Sequence, residues 1–236
     1  MHCFIAEIGE TRTTRPVFYS ANYDTSYTTL LWIALFGSFC YCSYFPNISA
    51  TCKRDIIFMV EDSSNSAGDN ELKLFLINLV NSIPIGDDKN RVAVALFNYD
   101  VHVKVPMARF QNATHVSDQI SNIRFSHTTN GIDYKTVVEK ISEYTNSHRN
   151  GDRANVSDAV IIVSDHGLSA WFPHIHHDLH KPTLHNANVI AVNVGSLSVS
   201  YNYLQQLATD SHHIFDIPDY HHLTSIETNL TTLICE

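Results

Sequence analysis

The stretch Asp62-Ser63-Ser64-Asn65-Ser66-Ala67-Gly68 crowds oxygen donors into a few positions. A carboxylate at Asp62 followed by hydroxyls at Ser64 and Ser66, the spacing DxSxS, aims three oxygens from one tight loop into a shared space. Hard cations such as Mg²⁺ take this kind of oxygen set and fill the remaining octahedral positions with water. Serine-rich turns are common, so the spacing alone is a weak signal. Two further loops add to it: Thr128-Thr129-Asn130-Gly131, and Asp165 within Ser164-Asp165-His166-Gly167. A slip of one position would put Glu61, Ser63 and Asn65 in the ligand set. Spacing alone leaves the two registers open.

A second chemistry lies in HIHHDLH, which contains His174, His176, His177, Asp178 and His180. On a helix His176 and His180 share a face at i,i+4, and His177 reaches His180 at i,i+3. Imidazoles so placed suit Zn²⁺ or copper. The plainer reading is a solvated helix face, and it is favoured because Pro173 and Pro182 confine the helix and no cysteine joins the cluster. The chain has 15 histidines, so its charge climbs between about pH 7 and pH 5.5 and a pH-sensing role is a further hypothesis. Catalysis is not expected. There is no G-x-G-x-x-G, G-x-S-x-G or P-loop, and Ser64 with Asp165 and a nearby histidine would match a triad in composition only.

These loops need strands and helices to hold them. IIFMV (Ile56 to Val60), RVAVALFN (Arg91 to Asn98), AVIIVS (Ala159 to Ser164) and NVIAVNV (Asn188 to Val194) read as buried strands. VHVKV (Val101 to Val105) alternates like an edge strand, separated from its predecessor only by Tyr99 and Asp100, which implies a hairpin. HIFDI (His213 to Ile217) is a last strand. Helical spacing appears over Glu71 to Ile83, Thr114 to Ile123, Ile132 to Tyr144, Ser200 to Ala208 and Leu223 to Ile234. Strands alternating with helices predict a doubly wound α/β fold: a mostly parallel six-stranded sheet with one antiparallel edge strand and helices on both faces. In such sheets ligands gather at the carboxyl ends of strands where strand order reverses, which is where the DxSxS loop falls.

The 236 residues, 44% hydrophobic, suffice for one such core. Charged residues are 17% and the formal net charge is -9, which excludes the basic footprint of a nucleic-acid partner. Residues 1–50 read as an N-terminal extension whose apolar core, about residues 29–45, contains LLWIALFGSFCYCSY. Its length suits a signal peptide better than a membrane span, although the stretch before it is long and also fits a signal anchor. Both readings put the rest of the chain outside the cell or in the lumen; a membrane is a partner only if the segment stays uncleaved. Cleavage would remove Cys3, and with it Cys40 and Cys42, leaving Cys52 and Cys235. These bracket the rest of the chain and would pair if the domain termini lie side by side; the alternative is two unrelated buried thiols. Sequons stand at Asn47, Asn112, Asn155 and Asn229, about as many as chance provides in a chain of this composition.

Taken in order, DxSxS, RVAVALF, the Thr-x-x-Gly loop, VIIVSD and VIAVNVG resemble the von Willebrand factor type A family of integrin inserted domains, collagens and matrilin-like matrix proteins. The resemblance runs from Asp55 to Ile234, within a domain of residues 52–235, and flanking cysteines are a frequent family feature. It implies a metal-dependent adhesion site with Asp62, Ser64, Ser66, Thr128 and Asp165 as ligands to Mg²⁺, or to Mn²⁺ or Ca²⁺ in its place. An open coordination position would accept a carboxylate from an extracellular protein ligand such as collagen or another matrix protein. The sequence departs from the family pattern at Glu61, usually apolar, at Asn130, usually threonine, and at His166, usually glycine.

Overall fold

The computed structural model describes residues 52–62, 68–107, 111–127, 134–146, 150–165, 187–195 and 207–236. Six strands form one sheet: β1 (Arg54–Glu61), β2 (Arg91–Phe97), β3 (Val101–Val105), β4 (Ser157–Ser164), β5 (Ala187–Val194) and β6 (Ile214–Ile217). Their order is β3-β2-β1-β4-β5-β6. β1 lies parallel to β2 and β4, β4 to β5, and β5 to β6; β3 runs antiparallel to β2 at the edge. The sheet is therefore the doubly wound, mostly parallel one expected, with its switch in strand order between β1 and β4.

β1 shows why the runs are apolar without alternation. Ile56, Phe58 and Val60 enter one core layer and Ile57 and Met59 the other, so both faces are covered. Burying each such side chain contributes on the order of 1.5–3 kcal/mol. One layer is closed by α1 (Asp69–Ser82), α2 (Ala113–Ser121) and α4 (Glu227–Ile234), and the other by α3 (Tyr134–Asn146). Leu72, Phe75, Leu76, Leu79 and Val80 give α1 its buried stripe at helical spacing. Asn112 caps α2 by accepting the His115 amide at 2.8 Å.

The closing helix expected over Leu223 to Ile234 is corrected. A 3₁₀ segment covers Tyr220–Ile226, and the α-helix begins only at Glu227. Leu223 and Ile226 are buried three residues apart, the repeat of a 3₁₀ turn, which also fits α spacing when read from sequence. Likewise His213 belongs to a short 3₁₀ turn, Ser211–His213, ahead of β6. The N-terminal segment with Cys3, Cys40, Cys42 and Asn47, the helix expected to start at Ser200, and the cluster His174, His176, His177 and His180 lie outside the described residues.

The residues before β1 and after the last helix meet at the amino-terminal end of β1. Cys52 and Cys235 form a disulfide with Cα atoms 5.2 Å apart across a sequence separation of 183. Next to it the Arg54 Nε donates to the Ile234 carbonyl at 3.2 Å, tying the first strand to the last helix.

Candidate metal centre

β1 and β4 are adjacent and parallel, so their carboxyl ends deliver Glu61-Asp62 and Ser164-Asp165 to the same rim of the sheet. Glu61, the last residue of β1, and Asp62 just after it are both buried, at 4% and 2% exposure. Successive strand residues face opposite ways, so the two carboxylates part company. Asp62 Oδ1 accepts the backbone amide of Ser126 at 2.8 Å and, at longer range, that of His127 at 3.4 Å. The Ser126 hydroxyl donates to Asp62 Oδ2. Glu61 Oε2 turns instead to β4, accepting the Asp165 amide at 3.1 Å and the Ser164 hydroxyl.

The loop that Asp62 grips leads directly into Thr128. His127 there takes a left-handed backbone, φ 51°, which costs a non-glycine residue roughly 1–2 kcal/mol. Two acids hold it in place: Asp62 through the amide, and Asp69 Oδ2 at 3.1 Å from His127 Nε2. Burial raises the Asp69 carboxyl above its ordinary range, against the opposing pull of His127 and Lys73. The start of α1 is fixed from another side. A Cβ at Gly68 would lie 2.1 Å from the Tyr220 ring, so that ring is seated on the glycine backbone immediately after the DxSxS loop.

Among the five expected metal ligands, Asp62 and Asp165 are described and sit at the ends of neighbouring strands; Ser64, Ser66 and Thr128 lie outside the described residues. The two described expected ligands, Asp62 and Asp165, offer carboxylate oxygens, which hard cations prefer. The Asp62 side chain accepts two N–H donors and one O–H donor, which leaves roughly one of its four lone-pair sites for a further partner. These features fit a divalent cation. Sequence reasoning did not find the roles of Ser126, His127 and Asp69; a serine and a histidine just before the Thr128 loop were the available signal. Of the sequons, Asn112, Asn155 and Asn229 are exposed, with the Asn112 side chain committed to its helix cap.

A doubly wound sheet with acids at the ends of its switch-point strands, Asp62 after β1 and Asp165 after β4, defines a class of α/β domain. The sequence model of the von Willebrand factor type A domain matches residues 55–229, and the chain belongs to that family. Human collagen alpha-5(VI) chain is 25% identical over 187 residues, covering 78% of this chain and 7% of its own length. Mouse collagen alpha-6(VI) chain is 23% identical over 188 residues, covering 78% of this chain and 8% of its own. The chain thus spans a small part of these relatives. Among solved structures, proximal thread matrix protein 1 from the mussel byssus superposes with a TM-score of 0.69 at 22% identity, over 78% of this chain and 48% of that one. A second structure of that protein, described as having a zinc occupied MIDAS motif, superposes at 0.68. Its likeness shows the fold.

Proposed function

We propose that this chain is an extracellular matrix-type binding module that engages a protein ligand, collagen or another matrix protein, through a divalent cation at the carboxyl end of the sheet. It catalyses no reaction. The ion is Mg²⁺, with Mn²⁺ or Ca²⁺ as substitutes, and its ligands are Asp62, Ser64, Ser66, Thr128 and Asp165. The observation that carries this reading is the grip of Asp62 on Ser126 and His127, which brings the approach to Thr128 against the first acid of the loop. The collagen VI chains among its relatives support the matrix setting. The domain runs over residues 52–235 behind a secretory N-terminal segment, or behind a single-pass anchor with the domain outside. Asn47, Asn112, Asn155 and Asn229 are its candidate glycan acceptors.

Calorimetric titration of the chelator-stripped chain with Mg²⁺, Mn²⁺ and Zn²⁺ tests the site. Binding that is lost in Asp62→Ala and in Asp165→Ala supports it; binding unchanged in both refutes it. Zn²⁺ belongs in the series because the mussel matrix protein has a zinc-occupied motif. It also reads the histidine segment: heat lost on replacing His174, His176, His177 and His180 would assign a second zinc site there, through which a structural matrix component could assemble.

A second reading rests on Glu61. Its carboxylate, not that of Asp62, reaches the Asp165 amide. In that register Glu61, Ser63 and Asn65 replace Asp62, Ser64 and Ser66, the site is weakened as a metal centre, and the ligand is bound by another surface.

A further inference from the structure

The opposite end of the sheet holds a cluster of acids that the adhesion site does not use. Asp55 on β1 and Asp158 on β4 are register partners on adjacent parallel strands, so their side chains project from the same face. Asp152, on the approach to β4, joins them, and one carboxylate oxygen from each lies within 4.8 Å of the others. All three are buried: Asp55 at 0% exposure, Asp152 at 8% and Asp158 at 4%. Like charges facing each other across strands are destabilising, and buried ones more so.

Arg153 compensates Asp55. Arg153 donates its backbone amide to Asp55 Oδ2 at 2.7 Å, and its Nε and NH2 to Oδ1 at 2.9 and 2.6 Å. The rest of that guanidinium goes to the carbonyls of Asp87 and Arg54. Arg91, the other nearby cation, is committed to Asp87 and to the Gly151 carbonyl. The Asp158 Oδ1 is buried with no hydrogen-bond partner among the described residues. An orphaned oxygen on a carboxylate more than nine-tenths buried, aimed at two other carboxylates, is a costly arrangement unless something binds there. The donors are all oxygen, and oxygens within 4.8 Å of one another already lie close enough to share an ion making ~2.3–2.6 Å contacts, the calcium range.

The geometry points to a second cation site, for a calcium-type divalent ion, held by Asp55, Asp152 and Asp158 at the amino-terminal end of the sheet. It lies about 23 Å along β1 from Asp62, taking seven residue steps of about 3.3 Å each. The ion would pin the start of β1 to β4 and to the loop before it. This is the same end that the Cys52–Cys235 disulfide closes, so a covalent and an ionic clamp would hold the points where the chain enters and leaves the domain.

The test uses the full secreted chain, disulfide intact and stripped with chelator, titrated with Ca²⁺ by calorimetry and followed by its melting temperature. The Asp165→Ala variant removes the candidate adhesion site at the far rim. It is expected to keep a one-to-one calcium event and a rise in Tm of several degrees. Asp152→Asn and Asp158→Asn, singly and together, are expected to lose both, while melting in EDTA at or above the wild-type temperature and so proving folded. No calcium-dependent heat or Tm rise in either the wild type or Asp165→Ala would overturn the site and leave a proton on Asp158 as what relieves the cluster. A rise that persists in the paired asparagine variant would overturn it equally. Loss of calcium binding in Asp165→Ala alone would contradict this site while leaving the adhesion site standing.

Discussion

Glu61 accepts the backbone amide of Asp165 at 3.1 Å, bridging β1 to β4 at the rim where the two strands part. Its neighbour Asp62 serves the other side of that rim, at Ser126 and His127. One acid therefore positions the last loop and the other the middle loop. Glu61→Gln keeps an oxygen acceptor for the Asp165 amide, so cation affinity is expected to fall less than about 10-fold. Asp62→Asn alters a direct ligand and should cost more than the roughly 10- to 100-fold typical of disturbing groups that only support a metal centre. Calorimetry on both variants separates the two registers: the reverse order assigns the site to Glu61, Ser63 and Asn65.

Replacing Cys52 and Cys235 by serine should lower stability by about 4–5 kcal/mol, because the bond closes a loop spanning 183 positions and long loops lose most entropy on closure. Equilibrium urea unfolding of the wild type and the double serine variant measures this through the midpoint, with m held comparable. A difference below about 1 kcal/mol would show that Arg54 and its Ile234 contact hold the ends together without the bond.

The acidic cluster sets a pH dependence in the metal-free chain. Burial, and then the charges of Asp152 and Asp55, push the Asp158 carboxyl up to about 8 from an ordinary 3.8. The folded chain keeps this proton over a range in which the unfolded chain has lost it. Between about pH 4 and pH 8 the folded state therefore binds more protons, and stability falls as pH rises, levelling off above about pH 8. The change should be on the order of 2–3 kcal/mol, less than ideal linkage because the surroundings relax. Unfolding in EDTA across pH 5 to 8.5 reads this slope. Asp158→Asn should flatten it; an equal slope in that variant would place the dependence elsewhere.

How much of this was legible in the sequence depends on what each residue has to signal. The strands were readable because Ile56 to Val60 and Ala159 to Ser164 are covered on both faces and so carry unbroken apolar runs. Their true starts, Arg54 and Ser157, were missed because the first positions are polar: Asp55 and Asp158 are buried acids that look like surface residues in a linear reading. The same two positions hid the second cluster, whose members become neighbours only through the β1–β4 register. At the rim, the sequence offered both the Asp62 and the Glu61 register, since a shift of one reverses which face a side chain takes. The structure shows each acid engaged with a different loop.

Gly151 is a backbone requirement of the loop that carries Asp152. Its φ is +94°, and an added Cβ would fall 1.7 Å from the Met107 carbonyl oxygen. Gly151→Ala is expected to destabilise by on the order of 2–4 kcal/mol through the clash and the left-handed backbone together. A thermal melt within about 1 °C of wild type would contradict this packing.

The central claim is cation-dependent capture of a matrix protein, and surface plasmon resonance on immobilised collagen tests it most directly. The wild-type chain and Asp165→Ala are compared in Mg²⁺, in EDTA, and after Mg²⁺ is restored. Wild-type binding in Mg²⁺ is expected to disappear in EDTA and return with the ion, with no binding by Asp165→Ala in any buffer. Wild-type binding that persists unchanged in EDTA, or that Asp165→Ala retains in full, would contradict it.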